Sequence, residues 1–155
     1  MIEQLIAGGQ TGVDRAALDV ALAVGMPCGG WCPKGRLAED GPIAARYPLR
    51  ETPDADYAQR TAWNVRDSDG TLVLTRGEPT GGTAQTVDCA QALDKPHLVV
   101  DLNQRADIAA VRGWIAAHHI RVLNVAGPRE SKSPGISTEA VHFLRQLLSQ
   151  TPTAP

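Results

Sequence analysis

Leu5-Ile6-Ala7-Gly8-Gly9-Gln10-Thr11-Gly12-Val13-Asp14 runs from a short apolar segment into a glycine loop. Beyond it Val13, Ala17, Val20, Ala21 and Val24 recur at helical spacing until Gly25 and Pro27 stop the pattern. This is strand, glycine loop, helix, and the same design returns at Arg76-Gly77-Glu78-Pro79-Thr80-Gly81-Gly82-Thr83 and from Ala126-Gly127-Pro128-Arg129 to Gly135. Where such a loop opens a helix, unpaired backbone N–H groups and the positive end of the helix dipole can hold an anion. In a parallel sheet all of these loops leave from one edge, which points to a site for a phosphorylated small molecule.

The rest of the chain keeps the alternation. A weak second strand is expected near Met26 to Trp31, followed by an irregular stretch from Cys32 to Pro53 of the length that is commonly functional. Asp54 can cap a helix with Ala58, Thr61, Ala62 and Val65 inward, and Asp69-Gly70 then turns into the strand Thr71-Leu72-Val73-Leu74. The second glycine loop opens a helix with Ala84, Val87, Ala90 and Leu93 on one side, leading to the strand Leu98-Val99-Val100. A helix with Ile108, Val111 and Ile115 inward precedes the strand Val122-Leu123-Asn124-Val125, and the last helix carries Ile136, Ala140, Phe143, Leu144, Leu147 and Leu148 on one face. Right-handed crossovers then give an α/β, three-layer Rossmann-like fold with a parallel sheet of about five strands. With strands in the order 2-1-3-4-5, the Gly8 and Gly77 loops flank the switch point. Residues 1–150 are read as a single ligand-binding domain and 151–155 as a flexible tail.

Composition narrows the function classes. At 155 residues the chain suits one domain with a real core. A net charge of -2 with no basic stripe and few aromatics argues against nucleic acid as a partner. No apolar run is long enough for a membrane span and no secretion signal is visible, so the expectation is a cytoplasmic protein. Cys28, Cys32 and Cys89 read as free thiols, His118 and His119 as structural residues at a helix end, and no metal site is expected.

The loops supply the candidate ligand-binding residues: Gly8, Gly9, Gln10, Thr11, Gly12, Asp14 and Arg15 in the first, and Gly81, Gly82 and Thr83 in the second. The third adds Gly127, Arg129, Glu130, Ser131 and Ser133. Ser133 can cap the last helix with Pro134 at its first position, leaving the N–H groups of Gly135 and Ile136 pointing outward; plain helix capping is the alternative reading. Trp31 could lay its ring on a planar ligand, with Lys34 and Arg36 meeting acidic groups, or Trp31 could be partly buried core. The first loop is neither G-x-G-x-x-G nor a P-loop ending in G-K-[ST].

Together the segments Gly8–Asp19, Gly30–Arg36, Ala38–Ile43, Asn64–Thr71, Gly81–Thr83 and Asn124–Ser131 resemble the molybdenum-cofactor carrier proteins, a branch of the LOG-like and DprA-like Rossmannoid superfamily. The resemblance covers nearly the whole chain. It implies a Rossmann-like fold, a homo-oligomer and a phosphate-bearing ligand, with the molybdenum cofactor, a phosphorylated pterin, as possible cargo. Trp63 and Trp114 are candidate apolar surface for such an oligomer.

Enzymatic relatives, the phosphoribohydrolases, resemble P-G-G-x-G-T-x-x-E, with a Glu that works on the ribose. Here Gly82-Thr83-Ala84-Gln85-Thr86 places Thr86 at that position, and a hydroxyl cannot replace the carboxylate as a base. No catalytic residue is assigned. The reading is a binding or carrier protein for a phosphorylated pterin or a nucleotide; the alternative is a nucleotide-processing hydrolase using Asp14, Asp40 or Asp88.

Overall fold

The apolar run at the start becomes β1 (Gln4–Ile6) in the computed structural model, which describes residues 1–149. The tail expected at 151–155 lies outside the described residues. The helical pattern after the first glycine loop becomes α1 (Val13–Val24), burying Val13, Ala16, Ala17, Leu18, Val20 and Ala21. It stops where Gly25 turns left-handed at φ 72° and gives its N–H to the carbonyls of Ala21 and Leu22.

After β2 (Cys28–Gly29) the stretch expected to be irregular contains two small ladders. Strand β3 (Trp31–Cys32) pairs in parallel with β6 (Arg50–Glu51), and β4 (Leu37–Ala38) pairs antiparallel with β5 (Gly41–Pro42). Their anchor is Arg36, whose guanidinium donates to the carbonyls of Ile43, Ala44, Tyr47 and Leu49 at 2.8–3.4 Å. Buried Ile43, Tyr47 and Leu49 join this segment to the core.

Helix α2 (Tyr57–Arg66) is capped by Asp56, which accepts from the Ala58 N–H at 3.0 Å, and not by Asp54. Asp54 instead accepts from Lys34 N–H through its carbonyl. Strand β7 (Gly70–Thr75), α3 (Gly81–Ala92), β8 (His97–Asp101), α4 (Ile108–Ala117), β9 (Val122–Ala126) and α5 (Ile136–Leu148) follow in the expected alternation.

Five strands form one sheet in the order β2-β1-β9-β7-β8, every neighbour parallel. Helices α1, α4 and α5 cover one face and α2 and α3 the other, completing a three-layer α/β Rossmann-like fold. The expected order 2-1-3-4-5 is corrected, because the last strand inserts between the first and third. Numbered from β9, the sheet reads 3-2-1-4-5, the doubly wound order with the chain opened at a different point. The switch point therefore lies between β9 and β7, whose connections leave to opposite faces.

The inner faces of α2 and α3 depart from the apolar pattern. Helix α2 buries Arg60, Asn64 and Val65, and α3 buries Thr83, Thr86 and Ala90, while Leu93 is exposed. Buried polar groups need partners or a ligand, and these two helices border the cavity described next.

Candidate functional site

A cavity of about 290 Å³ opens at the carboxyl ends of β1, β7 and β9. All of the glycine loops reach it: Gly8, Gln10 and Asp14 from the first, Gly82 and Thr83 from the second, Gly127, Arg129 and Ser133 from the third. Arg60 and Asn64 of α2, Thr75 at the end of β7, Asn124 within β9, Arg76 and Thr86 line the same wall, none of them among the expected ligand-binding residues, and Lys132 of the third loop joins them. Arg60 and Asn64 lie four apart on α2, so one face of that helix presents both.

The second loop offers the open helix start. Thr80 is the N-cap of α3 but makes no side-chain capping bond, and the first amides bonded back into the turn are those of Thr83 and Ala84, to the Thr80 carbonyl. A Cβ added at Gly81 would lie 2.9 Å from Lys132 Nζ, so this ammonium group sits against the same helix start. Gly82 faces open space.

The other two helix starts are closed by the protein itself. Val13 N–H at the head of α1 donates to the Pro128 carbonyl, and Glu130 N–H donates to Thr11 Oγ1. A side chain at Gly12, where φ is +80°, would come within 2.9 Å of Glu130 N and closer still to Pro128 O. At α5 the expected Ser133 cap is corrected: the Glu130 carboxylate accepts from Gly135 N–H at 2.6 Å and from Ser137 N–H at 3.0 Å. Pro134 precedes the helix, Gly135 is the left-handed N-cap, and Ser133 Oγ accepts from Arg76 Nη1. A carboxylate therefore stands where an external anion was expected.

Several expected residues serve the loops rather than the cavity. Glu39, on the β4–β5 turn, accepts from the hydroxyls of Thr11 and Ser131 and from Ser131 N–H, which holds its carboxyl below the usual carboxylate range. Arg15 pairs with Asp40 at 2.5 Å and donates to Gly9 O at 2.9 Å. Arg36 spends its guanidinium on backbone carbonyls, as described above. Lys34 is exposed and does not line the cavity. The Trp31 ring also lies outside the cavity lining: its indole N–H donates to Asp67 Oδ2, it meets Trp63 edge-on at 4.8 Å, and Arg50 stacks on it at 4.2 Å. Asn64 fastens the Trp31 backbone through both its N–H and its carbonyl.

At the inner wall, Asp14 is 7% and Arg60 8% exposed. Arg60 Nη1 donates to Gly8 O at 2.8 Å, and Gln10 N–H reaches Asp14 Oδ2 at 3.3 Å. Burial pushes the Asp14 carboxyl up to about 6 against the opposing pull of Arg60, the Gln10 N–H and Arg15. The arrangement can hold an anion at the α3 start and accept hydrogen bonds from a donor group at Asp14. Among the described residues no cluster of His, Cys, Asp and Glu side chains is gathered as a metal cage, and no helix is long and apolar enough to cross a membrane.

The family model described as circularly permutated YpsA SLOG matches residues 5–148. The chain is also similar to a protein of Syntrophus aciditrophicus, named "putative molybdenum carrier protein", whose crystal structure at 1.45 Å superposes with a TM-score of 0.92. The two are 46% identical over 96% of each chain. No curated protein matches.

Proposed function

Because this chain belongs to the circularly permutated YpsA SLOG family, we propose that it is a binding or carrier protein for a phosphorylated small molecule, its phosphate seated at the start of α3. The observation that carries this reading is Lys132. An ammonium group against the positive end of a helix is disfavoured by roughly 0.3–1 kcal/mol. An anion placed between the two turns that repulsion into a double attraction. Arg129 at the same wall adds positive charge, whereas Arg76 there is paired with the Glu139 carboxylate at 2.8 Å.

The 46%-identical neighbour's name supports a carrier role and makes a molybdenum-bearing phosphorylated pterin the first cargo to test, ahead of a nucleotide. The same reading takes residues 1–150 as one ligand-binding domain that assembles with further copies of itself. Exposed Leu93 and Val99, beside and on the edge strand β8, are better candidates for that contact than half-buried Trp63 and Trp114. The test is calorimetric titration with inorganic pyrophosphate, with the ligand retained by protein purified from its native host identified by mass spectrometry. Lys132→Ala should weaken pyrophosphate at least roughly tenfold, the loss expected for one charge-assisted contact. Unchanged affinity would remove the basis of the proposal.

A hydrolase reading rests on Asp14, which lines the cavity and ionises close to neutral pH. Asp40 is tied to Arg15, and Asp88 is exposed on α3 and outside the lining. Thr86, where the hydrolase Glu would stand, is buried and donates its hydroxyl to Gly82 O at 3.1 Å. Loss of general acid–base assistance costs about 10²- to 10⁴-fold in rate. Free-base release from nucleoside monophosphates should accordingly be at trace level, and robust release abolished in Asp14→Asn would favour the enzyme.

A further inference from the structure

The Asp14 carboxylate is the cavity group whose chemistry the phosphate reading leaves unused. It is buried, it faces the cavity from α1, and its hydrogen bonds come only from the backbone of the first loop, a long one from Gln10 N–H to Oδ2 and one from Gly8. An ionised carboxylate can accept about four hydrogen bonds. The nearest cation does not neutralise it by contact: Arg60 gives Nη1 to the Gly8 carbonyl, and the two side chains form no ion pair. A carboxylate serving only the dipole of α1 would do so equally well in water, without the cost of burial. Its position is explained by a ligand that brings donors to it.

We propose that Asp14 is the specificity-determining residue of this cavity, reading with its two oxygens the adjacent N–H and NH2 of a 2-amino-4-oxopyrimidine ring. That ring is shared by pterins and guanine. The proposal rests on the phosphate-ligand reading and deepens it: the same molecule places its phosphate at the α3 start and its ring edge at Asp14. Two parallel N–H donors match two carboxylate oxygens as a bidentate pair. Hypoxanthine offers one donor at that edge, adenine sets an acceptor beside its amine, and a 2-oxo ring turns a carbonyl lone pair against the carboxylate. A bidentate contact of this kind discriminates between bases by roughly 10- to 100-fold. Arg60 is a positioning residue here, holding the Gly8 backbone that separates it from Asp14.

The test is a calorimetric panel at pH 7.5 on wild type and Asp14→Asn. It compares GMP with IMP, XMP and AMP, and neopterin monophosphate with its 2-oxo lumazine counterpart. Wild type should bind at least one 2-amino compound tenfold or more tighter than its partner lacking the amine, and the tighter of GMP and neopterin monophosphate identifies the source. Asp14→Asn should lose that preference and favour XMP over GMP, because its amide NH2 donates to the 2-oxo group while its carbonyl still accepts from the ring N–H. A misfolded variant cannot show that gain. Equal affinities across each pair in wild type, or a 2-amino preference that survives in Asp14→Asn, would overturn the proposal. Inorganic pyrophosphate separates the two levels: if wild type binds it and yet shows no ring preference, the phosphate reading stands and this one falls. If wild type binds neither pyrophosphate nor any compound of the panel, both fall.

Discussion

Asp14 and Arg60 reach the same glycine from helices on opposite faces of the sheet. A Cβ at Gly8 would lie 2.8 Å from Arg60 Nη1 and 2.9 Å from Asp14 Oδ2. The opposite charges are held apart across one backbone unit, and the gap exists only because position 8 carries no side chain. Each charge is thereby left facing the cavity.

This separation has a cost that varies with pH. The Asp14 carboxyl titrates near 6 in the folded protein, raised from its ordinary 3.8 by burial, with Arg60 and Arg15 as the facing charges. Between those values the folded protein keeps a proton that the unfolded chain has lost, so stability falls as pH rises through the window. Above it the full cost applies, up to about 3 kcal/mol. Asp14→Asn should therefore melt higher than wild type at pH 7.5, with the difference closing toward pH 4. A Tm series from pH 4 to 8 reads this directly, and a variant that melts lower at pH 7.5 contradicts it.

Glycines of the first two loops should respond in opposite ways. Gly82 has open space where a Cβ would go, so Gly82→Val should fold with unchanged Tm yet bind pyrophosphate roughly tenfold or more weakly, because its side chain obstructs backbone approach at the α3 start. Gly12→Ala meets backbone of the third loop at a positive φ and should lose roughly 2–4 kcal/mol. Denaturant titration and calorimetry on the same preparations separate fold from binding.

Arg36→Ala tests whether that cation belongs to the ligand or to the chain. Leaving several carbonyls of the 43–49 segment without their donor should cost roughly 2–4 kcal/mol and expose residues 32–53 to protease. Pyrophosphate affinity should stay within twofold of wild type. A selective loss of affinity would return Arg36 to the binding site.

At α5, Glu130→Ala should cost about 1–2 kcal/mol through loss of the cap. The vacated helix start should then accept an anion. Added sulfate should raise the Tm of Glu130→Ala more than that of wild type, and equal responses would mean that the carboxylate does not mask an anion site.

Helices, strands and glycine loops were legible because apolar periodicity and glycine placement are local properties. Strand order was not. Thr71-Leu72-Val73-Leu74 and Leu98-Val99-Val100 read alike as apolar runs, yet β7 is buried throughout while β8 is the half-exposed edge. Which neighbour a parallel strand takes depends on crossovers that the pattern does not record. The site was legible on its glycine side and hidden on its polar side, since an inward-apolar template turns Arg60 and Asn64 outward. Ser133-Pro134 has the signature of a helix start, but the longer reach of Glu130 lets it take the exposed amides first. Asp54 and Asp56 compete for one cap within a single turn, and sequence alone does not choose between them.

Among the described residues, strand β9 is the only bridge within the main sheet between the pair β1–β2 and the pair β7–β8. The ribosome adds it after every other described strand. Until then the nascent chain holds two separate strand pairs, each with an apolar edge awaiting the same missing partner. Such edges are templates for pairing with other chains. Translation arrested before residue 122 should therefore leave a product that depends on holdase chaperones, whereas a rearranged gene encoding β9 and α5 first would supply the central strand at the outset and relieve that dependence.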